Sequence, residues 1–276
     1  LKIIAYSKGL YSTWVYYSPD RILFDCGEGA SPFLGNMVYA IRHVFLSHGH
    51  ADHISGLVGL INIRNSAMGD REKPLNIYYP KGNWRISELM NYIVRTNRHL
   101  HYDLEWVPLE EGDKVQLFEG QNPRFLEAFE TVHSQDERSL GYNIIEQRRR
   151  LKKEYENLSQ EEIVEWVRQG KKSHLTYVYH QKLLSYGGDS IALDPVKIKG
   201  TEVLFHDATF LVEQDRKEYK HATLQEAVEV ATLAGIKKEL IAFHISSRYK
   251  LKEMEDKFKD LDFKVTLLPP GKVFRR

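Results

Sequence analysis

A single cysteine, Cys26, in 276 residues leaves no partner for an internal disulfide and removes thiolate-rich zinc clusters from consideration. No apolar stretch approaches the roughly 20 residues that a membrane span needs. The opening LKIIAYSKGLYSTW lacks the long apolar centre and small-residue cleavage site of a signal peptide, so the expected compartment is the cytoplasm. Because the chain starts at Leu1, an initiator Met or a short leader ahead of it stays open. An excess of charge is also missing. Lys and Arg total 39 against 38 Asp and Glu, a formal +1, so a polyanionic partner would have to be met by a local arrangement of cations. There is no internal repeat and no low-complexity block.

What is present suits one large domain, or a domain with a substantial insertion. Hydrophobic residues make up 42% and charged residues 28%, enough for a packed core and too apolar for wholesale disorder. Residues 2–6, 13–18, 21–25, 43–47 and 74–80 read as strands, and 54–64 as helix. Over 83–97, Ile86, Leu89, Met90, Ile93 and Val94 fall on one face of a helix. Strands are expected at 103–108, 113–118, 124–132, 140–146, 182–187, 202–206, 239–243 and 263–268. A helix at 222–234 would be closed by Gly235. Residues 147–176 differ in texture, with helix formers and charge dominating. Two β-rich halves with helices, interrupted by one charged helical insert, predict a layered α/β architecture.

The strongest chemical signal is His48-Gly-His50-Ala-Asp52-His53, directly after the strand HVFLS. Three imidazoles and a carboxylate within six residues would each need a partner if buried, which a packed core does not explain. In an extended turn, residues i and i+2 project to one side, so His48 and His50 can share a metal. Asp52 and His53, starting a helix, can turn toward a second. Nitrogen and oxygen donors without thiolate suit Zn²⁺, with Mn²⁺ or Fe²⁺ also accommodated. Four ligands do not satisfy two metals, and further candidates end other strands: Asp25, His133, Asp189, the pair His206-Asp207, and His244. Strand ends on one sheet edge converge on one rim, where sites on layered α/β folds are built. Cys26 reads as a small buried hydrophobe, and His99 and His101 lack a companion acid motif.

HGHADH followed by later His, Asp and His resembles the metallo-β-lactamase superfamily, an αββα sandwich. Within it, FDCGEG (24–29), REKPLNIYYPKG (71–82), YGGDS (186–190), HDATF (206–210), HATLQEA (221–227) and HISSRY (244–249) resemble the ribonuclease Z family of tRNA 3′-processing endonucleases. The resemblance implies two metals, one held by His48, His50 and His133. The other would be held by Asp52, His53 and His244, with Asp189 bridging and Asp25 orienting a ligand histidine. Water activated between the metals would attack the phosphodiester, Asp52 would take its proton, and His221, supported by Asp207, would protonate the leaving 3′ oxygen. Asp207 stands where the family usually has Glu, one methylene longer. The family's N-terminal glycine-rich segment is absent here, as is the Gly-Pro pair of its usual substrate-gripping arm. A homodimer is also implied.

The insert occupies roughly the arm's place and opens with Arg148, Arg149, Arg150, Lys152 and Lys153, five cations in six residues. The run reads two ways: as a contact to phosphates, or as a solvated helix paired with Glu154, Glu156, Glu161, Glu162 and Glu165. The resemblance to a tRNA-processing family favours RNA contact. Arg248 in HISSRY is divided between RNA backbone contact and a structural role. Three functions compete: a dinuclear zinc endoribonuclease acting on precursor tRNA, a hydrolase of small phosphodiesters or esters with the same metal ligands, and a metal-stabilised RNA-binding module without turnover. A penicillin-type lactamase is disfavoured, since Cys26 lies far from the ligand positions where such enzymes often use one.

Overall fold

Alternating and continuous apolar runs lay down fourteen strands in the computed structural model, which describes residues 2–67, 73–259 and 263–276. Arg71 and Glu72 of the REKPLNIYYPKG segment lie outside the described residues. The strands are β1 (Ile3–Lys8), β2 (Ser12–Tyr17), β3 (Ile22–Phe24), β4 (His43–Phe45), β5 (Leu75–Pro80), β6 (Leu104–Leu109), β7 (Lys114–Phe118), β8 (Arg124–Thr131), β9 (Ser139–Leu151), β10 (Thr176–Tyr186), β11 (Val203–Asp207), β12 (Glu239–Phe243), β13 (Val265–Leu267) and β14 (Phe274–Arg275). They form two seven-stranded sheets, ordered β14-β1-β2-β3-β4-β5-β6 and β13-β12-β11-β10-β9-β8-β7.

The helices are α1 (Ala30–Leu34), α2 (Ala51–Ile54), α3 (Leu57–Ala67), α4 (Trp84–Thr96), α5 (Gln160–Arg168), α6 (Lys172–Leu175), α7 (Leu224–Leu233) and α8 (Leu251–Lys259). Three apolar clusters define the layers. Ile3, Val15, Phe24 and Phe45 of the first sheet meet Leu126, Tyr142, Leu184 and Phe205 of the second between the sheets. Leu57, Leu60, Ile61, Ile86 and Ile93 cover the outer face of the first sheet, and Leu224, Ala227, Val230, Ala231 and Met254 that of the second. The result is a four-layer αββα sandwich. Strands covered on both faces read as continuous apolar runs, which is why every residue of β2, β11 and β12 is buried.

Helix boundaries follow local chemistry. Asn83 caps α4 by accepting the Ile86 N–H, and Thr223 and Glu226 form a reciprocal capping box on α7. Gly235, at φ +61°, follows that helix's end. The helix expected over 54–64 divides at Ser55-Gly56 instead of running through. Gly56 presses on the loop after β3, where a Cβ would lie 2.2 Å from the Gly27 carbonyl oxygen. On α4, Ile86 and Ile93 are buried while Val94 faces solvent, so the buried stripe is narrower than the spacing predicted.

The charged insert needs correction. It is not helical from its start, because β9 continues through Leu151 and pairs antiparallel with the beginning of β10: Tyr177 opposite Arg150, Val178 opposite Arg149, Tyr179 opposite Arg148. The β preference resides in the partner, Tyr177-Val178-Tyr179, which supplies the branched and aromatic residues that QRRRL lacks. Helix proper is confined to α5 and the single turn α6 beyond the ribbon.

Candidate metal centre

Sheet topology brings the candidate residues to one rim. In the first sheet β3 and β4 are parallel. In the second, β10, β11 and β12 run parallel, and β8 shares their direction because both it and β10 are antiparallel to β9. Asp25, His48, His133, Asp189, Asp207 and His244 all lie at or just beyond the C-terminal ends of these strands. α2 begins at Ala51 and turns Asp52 and His53 back over the same rim. Two backbone hydrogen bonds fasten this segment to the loop after β3: Cys26 N–H donates to the His53 carbonyl at 2.7 Å, and Gly56 N–H to the Cys26 carbonyl at 2.8 Å.

Two clusters result. His48, His50 and His133 form one; Asp52, His53, Asp189 and His244 form the other, with ligand atoms of each cluster within 4.8 Å of one another, and Asp207 and His221 come equally close to Asp189 and His244. Asp189 Oδ2 lies 3.2 Å from His53 Nε2 and 3.1 Å from His244 Nε2, and 4.0 Å from His48 Nε2 in the first cluster, so it stands between the two. Asp52 Oδ2 lies 3.7 Å and 3.6 Å from the same His53 and His244 nitrogens.

The protons on these rings can be placed by asking what each Nδ1 faces. His133 Nδ1 lies 3.0 Å from the Lys220 carbonyl, which only accepts, so this nitrogen donates. His53 Nδ1 donates to Asp25 Oδ2 at 2.7 Å. The Ser47 hydroxyl gives its proton to Asp25 and the Thr209 hydroxyl to Asp207, so His48 Nδ1 and His244 Nδ1, each 2.9 Å from those oxygens, must donate as well. All four Nε2 atoms are therefore left as lone pairs in the neutral rings, and all four face the clusters. His48 Nε2 and His133 Nε2 both lie 3.1 Å from His50 Nδ1, a convergence that one shared proton cannot satisfy. His53 Nε2, His244 Nε2 and Asp189 Oδ1 are buried without a hydrogen-bond partner. Convergent buried lone pairs on nitrogen and carboxylate oxygen fit a divalent cation in each cluster.

Electrostatics agrees. Burial holds His48, His50 and His133 below the usual imidazole range, so they are neutral and free to ligate. Burial opposes charge on His53 too, but Asp189 and Asp25 outweigh it and draw its protonation well above the ordinary value. Carboxylates that attract a proton to that ring equally attract a metal cation, which competes for the same nitrogen. Burial works against ionised Asp189, and the nearby His244 and His53 overcome it, holding the carboxyl well below its usual range.

Asp25 is the hub of the supporting shell. It is fully buried and accepts from Ser47 N–H (2.7 Å), Ser47 Oγ (2.8 Å), His53 Nδ1 (2.7 Å) and the Tyr186 hydroxyl (2.5 Å). Both Asp25 (φ +52°) and His244 (φ +60°) adopt left-handed backbone conformations, strain that concentrates at functional positions. Asp207 Oδ2 lies 2.7 Å from His221 Nδ1, so the shorter acid reaches its histidine without loss, while Oδ1 accepts the N–H and hydroxyl of Thr209. Burial disfavours charge on His221, but Asp207 outweighs it and pushes the ring up to about 9. His221 stacks on His244 at 5.0 Å between ring centroids, in the same cleft as the metal clusters.

Other candidates fall elsewhere. His206 is buried and satisfied, with Nδ1 on the Asp207 carbonyl and Nε2 accepting the Leu193 N–H, so it plays no part in the cleft. Cys26 is buried and burial pushes its thiol up, away from reactivity. Arg248 donates to the Asp215 carbonyl and packs over the Phe210 ring, engaged by its own loops. Arg149, Arg150 and Lys153 are exposed on the arm; Lys152 is half-buried, and Arg148 is tied to Glu146 at 2.6 Å. Sequence reading missed Glu137, which accepts the Gly49 N–H at 2.6 Å between the two cluster histidines and is also bonded to Asn83 and Arg85. It missed Thr209 and Tyr186 too. Their links to the clusters carry no spacing signal, because Gly49, His244 and Asp25 are 88, 35 and 161 residues away from them.

Comparison with known proteins bears on the fold and the family. The family description "Beta-lactamase superfamily domain" matches residues 20–152. Among solved structures, the metallo-beta-lactamase fold protein YhfI from Bacillus subtilis superposes with a TM-score of 0.66 at 16% identity, covering 99% of both chains. The short form of human tRNase Z gives 0.65 at 22% identity, covering 99% of this chain and 98% of that one. Fold and site together define a metal-dependent hydrolase of metallo-β-lactamase fold. Among curated relatives, ribonuclease Z of Sulfolobus acidocaldarius is 31% identical over 282 residues, 95% of this chain and 91% of that protein. The chain belongs to the ribonuclease Z family and is a metal-dependent endoribonuclease. Among the described residues, no helix is long and apolar enough to cross a membrane.

Proposed function

We propose that this chain is a dinuclear zinc endoribonuclease that removes the 3′ trailer from precursor tRNA, leaving a 3′-hydroxyl on the tRNA and a 5′-phosphate on the trailer. The observation that carries it is the pairing of two lone-pair clusters, joined by Asp189, with a separate His221–Asp207 couple in one cleft of ≈ 290 Å³. A structural metal site has no use for that couple, whereas phosphodiester hydrolysis needs a proton donor for its leaving oxygen. His48, His50 and His133 would hold one ion, Asp52, His53 and His244 the other, with Asp189 shared. The ions, when bound, supply an activated water and neutralise charge on the phosphodiester. Mn²⁺ or Fe²⁺ would suit the same donors.

Asp52 takes the proton of the attacking water; His53 and His244 beside it keep its carboxyl ionised against the effect of burial. His221, held protonated by Asp207, donates from Nε2 to the leaving 3′ oxygen, since Nδ1 is committed to the carboxylate. We read residues 1–276 as one metallo-β-lactamase-fold domain carrying residues 147–176 as an arm. Arg148, Arg149, Arg150, Lys152 and Lys153 on it would contact the RNA backbone, with Arg248 in a supporting loop. A cytoplasmic homodimer, each arm presented to the other subunit's cleft, completes the reading.

The test is processing of a trailer-bearing precursor tRNA in vitro, with the products sequenced. Metal-loaded wild type should cut near the 3′ end of the mature tRNA, and Asp52→Ala should abolish cleavage while circular dichroism stays unchanged. Wild-type protein that leaves such substrates intact would overturn the assignment.

A further inference from the structure

The tip of the β1–β2 hairpin, Gly9-Leu10-Tyr11, lies over the cleft. Leu10 is its one apolar lining residue among His50, His133, His221, His244, Asp52, Asp136, Asp189, Arg85, Lys220 and Ser134. Leu10 is 88% exposed, and its backbone sits at φ +70°, a conformation that glycine adopts freely and a bulky side chain does not. The chain places its glycine one residue earlier, at Gly9, where φ is not left-handed. Space explains Gly9: a Cβ there would lie 3.2 Å from the His244 carbonyl oxygen and 3.4 Å from its ring. The hairpin therefore presses directly on a candidate metal ligand and holds an exposed leucine in a strained conformation above the reacting centre.

Strain of this kind persists at sites where it serves binding or catalysis. Tyr11, 58% exposed, extends the apolar surface outward, with Lys8 Nζ 3.9 Å from its ring centroid. An apolar side chain gains nothing from phosphates, metals or acids, but it does match the flat face of a nucleobase, and base stacking on apolar and aromatic side chains is tolerant of sequence. A nucleotide whose phosphate lay at the clusters would project its base against this wall of the cleft. We propose that Leu10, with Tyr11 beside it, is the ledge that stacks the base flanking the scissile phosphate and so positions that phosphate for attack; this rests on the endoribonuclease reading above.

The experiment pairs L10G with precursor RNAs carrying an abasic nucleotide on one or the other side of the cut. Glycine relieves the backbone, so L10G should melt no lower than wild type. On intact substrate L10G should lose about fivefold or more in kcat/KM, the scale of one lost base contact. The loss should disappear on one of the two abasic substrates, because the protein and RNA changes then remove the same contact. An undiminished kcat/KM for L10G, or an equal loss on the intact and both abasic RNAs, overturns the ledge while leaving the endoribonuclease reading in place. A wild type that cuts no RNA overturns both.

Discussion

Glu137 accepts the backbone N–H of Gly49 at 2.6 Å, so a carboxylate 88 residues away fixes the peptide that separates His48 from His50. The same side chain, fully buried, meets Asn83 and is balanced by Arg85. Glu137→Ala leaves the buried Gly49 N–H without a partner and Arg85 with only Asp136, a change that costs about 1–3 kcal/mol for the unsatisfied donor. It should also weaken metal binding about 10- to 100-fold, as loss of a supporting hydrogen bond around a ligand does. Glu137→Gln, which keeps an oxygen for Gly49, should recover most of the metal affinity and less of the stability. Urea midpoints and competition with a chromophoric chelator would separate the two, and equal metal affinity in all three proteins would refute the link.

The His221–Asp207 couple sets a pH limit. A proton donor works only while charged, and Asp207 pushes this ring from 6.5 up to about 9. Cations bound in the adjoining clusters would oppose that protonation, so about 9 is the upper end expected for the alkaline limb of kcat. Activity should hold through neutral pH and fall as pH rises toward that value. Asp207→Asn removes the carboxylate and should draw the limb down toward or below 6.5. The sign for stability is the same: a raised folded pKa adds stability fully present below 6.5 and lost as pH climbs through about 9. A pH–rate profile of D207N that overlays the wild type would remove His221 from the role of donor.

Metal removal should destabilise the fold as well as silence it. His53, His244 and Asp189 converge with unpartnered buried atoms, and His48 and His133 crowd the single Nδ1 of His50, so the apoprotein carries uncompensated lone pairs and charge at this rim. Ligand binding to the folded state alone adds about 2.7 kcal/mol at 100 times Kd for one site. Dialysis against a chelator should lower Tm by several degrees, and titrating Zn²⁺ back should restore it at two equivalents per chain. Asp189→Asn, which weakens the shared ligand, should flatten that response. A melting curve indifferent to metal would mean that the clusters bind nothing.

The candidate clusters were partly legible: four members are nearly contiguous, and the strand ends offered Asp25, His133, Asp189, His206, Asp207 and His244, among which the family resemblance, not the β pattern, singled out His133, Asp189 and His244. Glu137 was not, since its partner is a backbone group in a loop that no periodicity connects to it. The Thr209 hydroxyl that fixes the tautomer of His244 is equally silent in one dimension, 35 residues from that ring. At the arm, sequence propensity misled for a different reason. Arg148–Leu151 forms strand because Thr176–Tyr179 pairs with it, and pairing partners are a property of two segments together.

That ribbon defines the final prediction. Directly opposed residues in an antiparallel pair share a face, so Arg148 and Arg150 lie on one side with Tyr179 and Tyr177, whose rings are 6.1 Å apart, while Arg149 lies on the other with Val178. Cations interleaved with exposed aromatics suit an RNA strand better than a solvated helix does. Arg148→Ala with Arg150→Ala should raise KM for precursor tRNA with little change in kcat, and should reduce the slope of log affinity against log salt by about 2. Replacing residues 148–179 by Asn-Gly between Gln147 and His180, which already face each other in register, should leave a closed hairpin and an intact fold. That deletion should cripple turnover of precursor tRNA and spare hydrolysis of a small chromogenic phosphodiester, since the clusters lie at the far end of the same strands. Equal losses on both substrates would mean that the ribbon supports the fold and makes no contact with RNA.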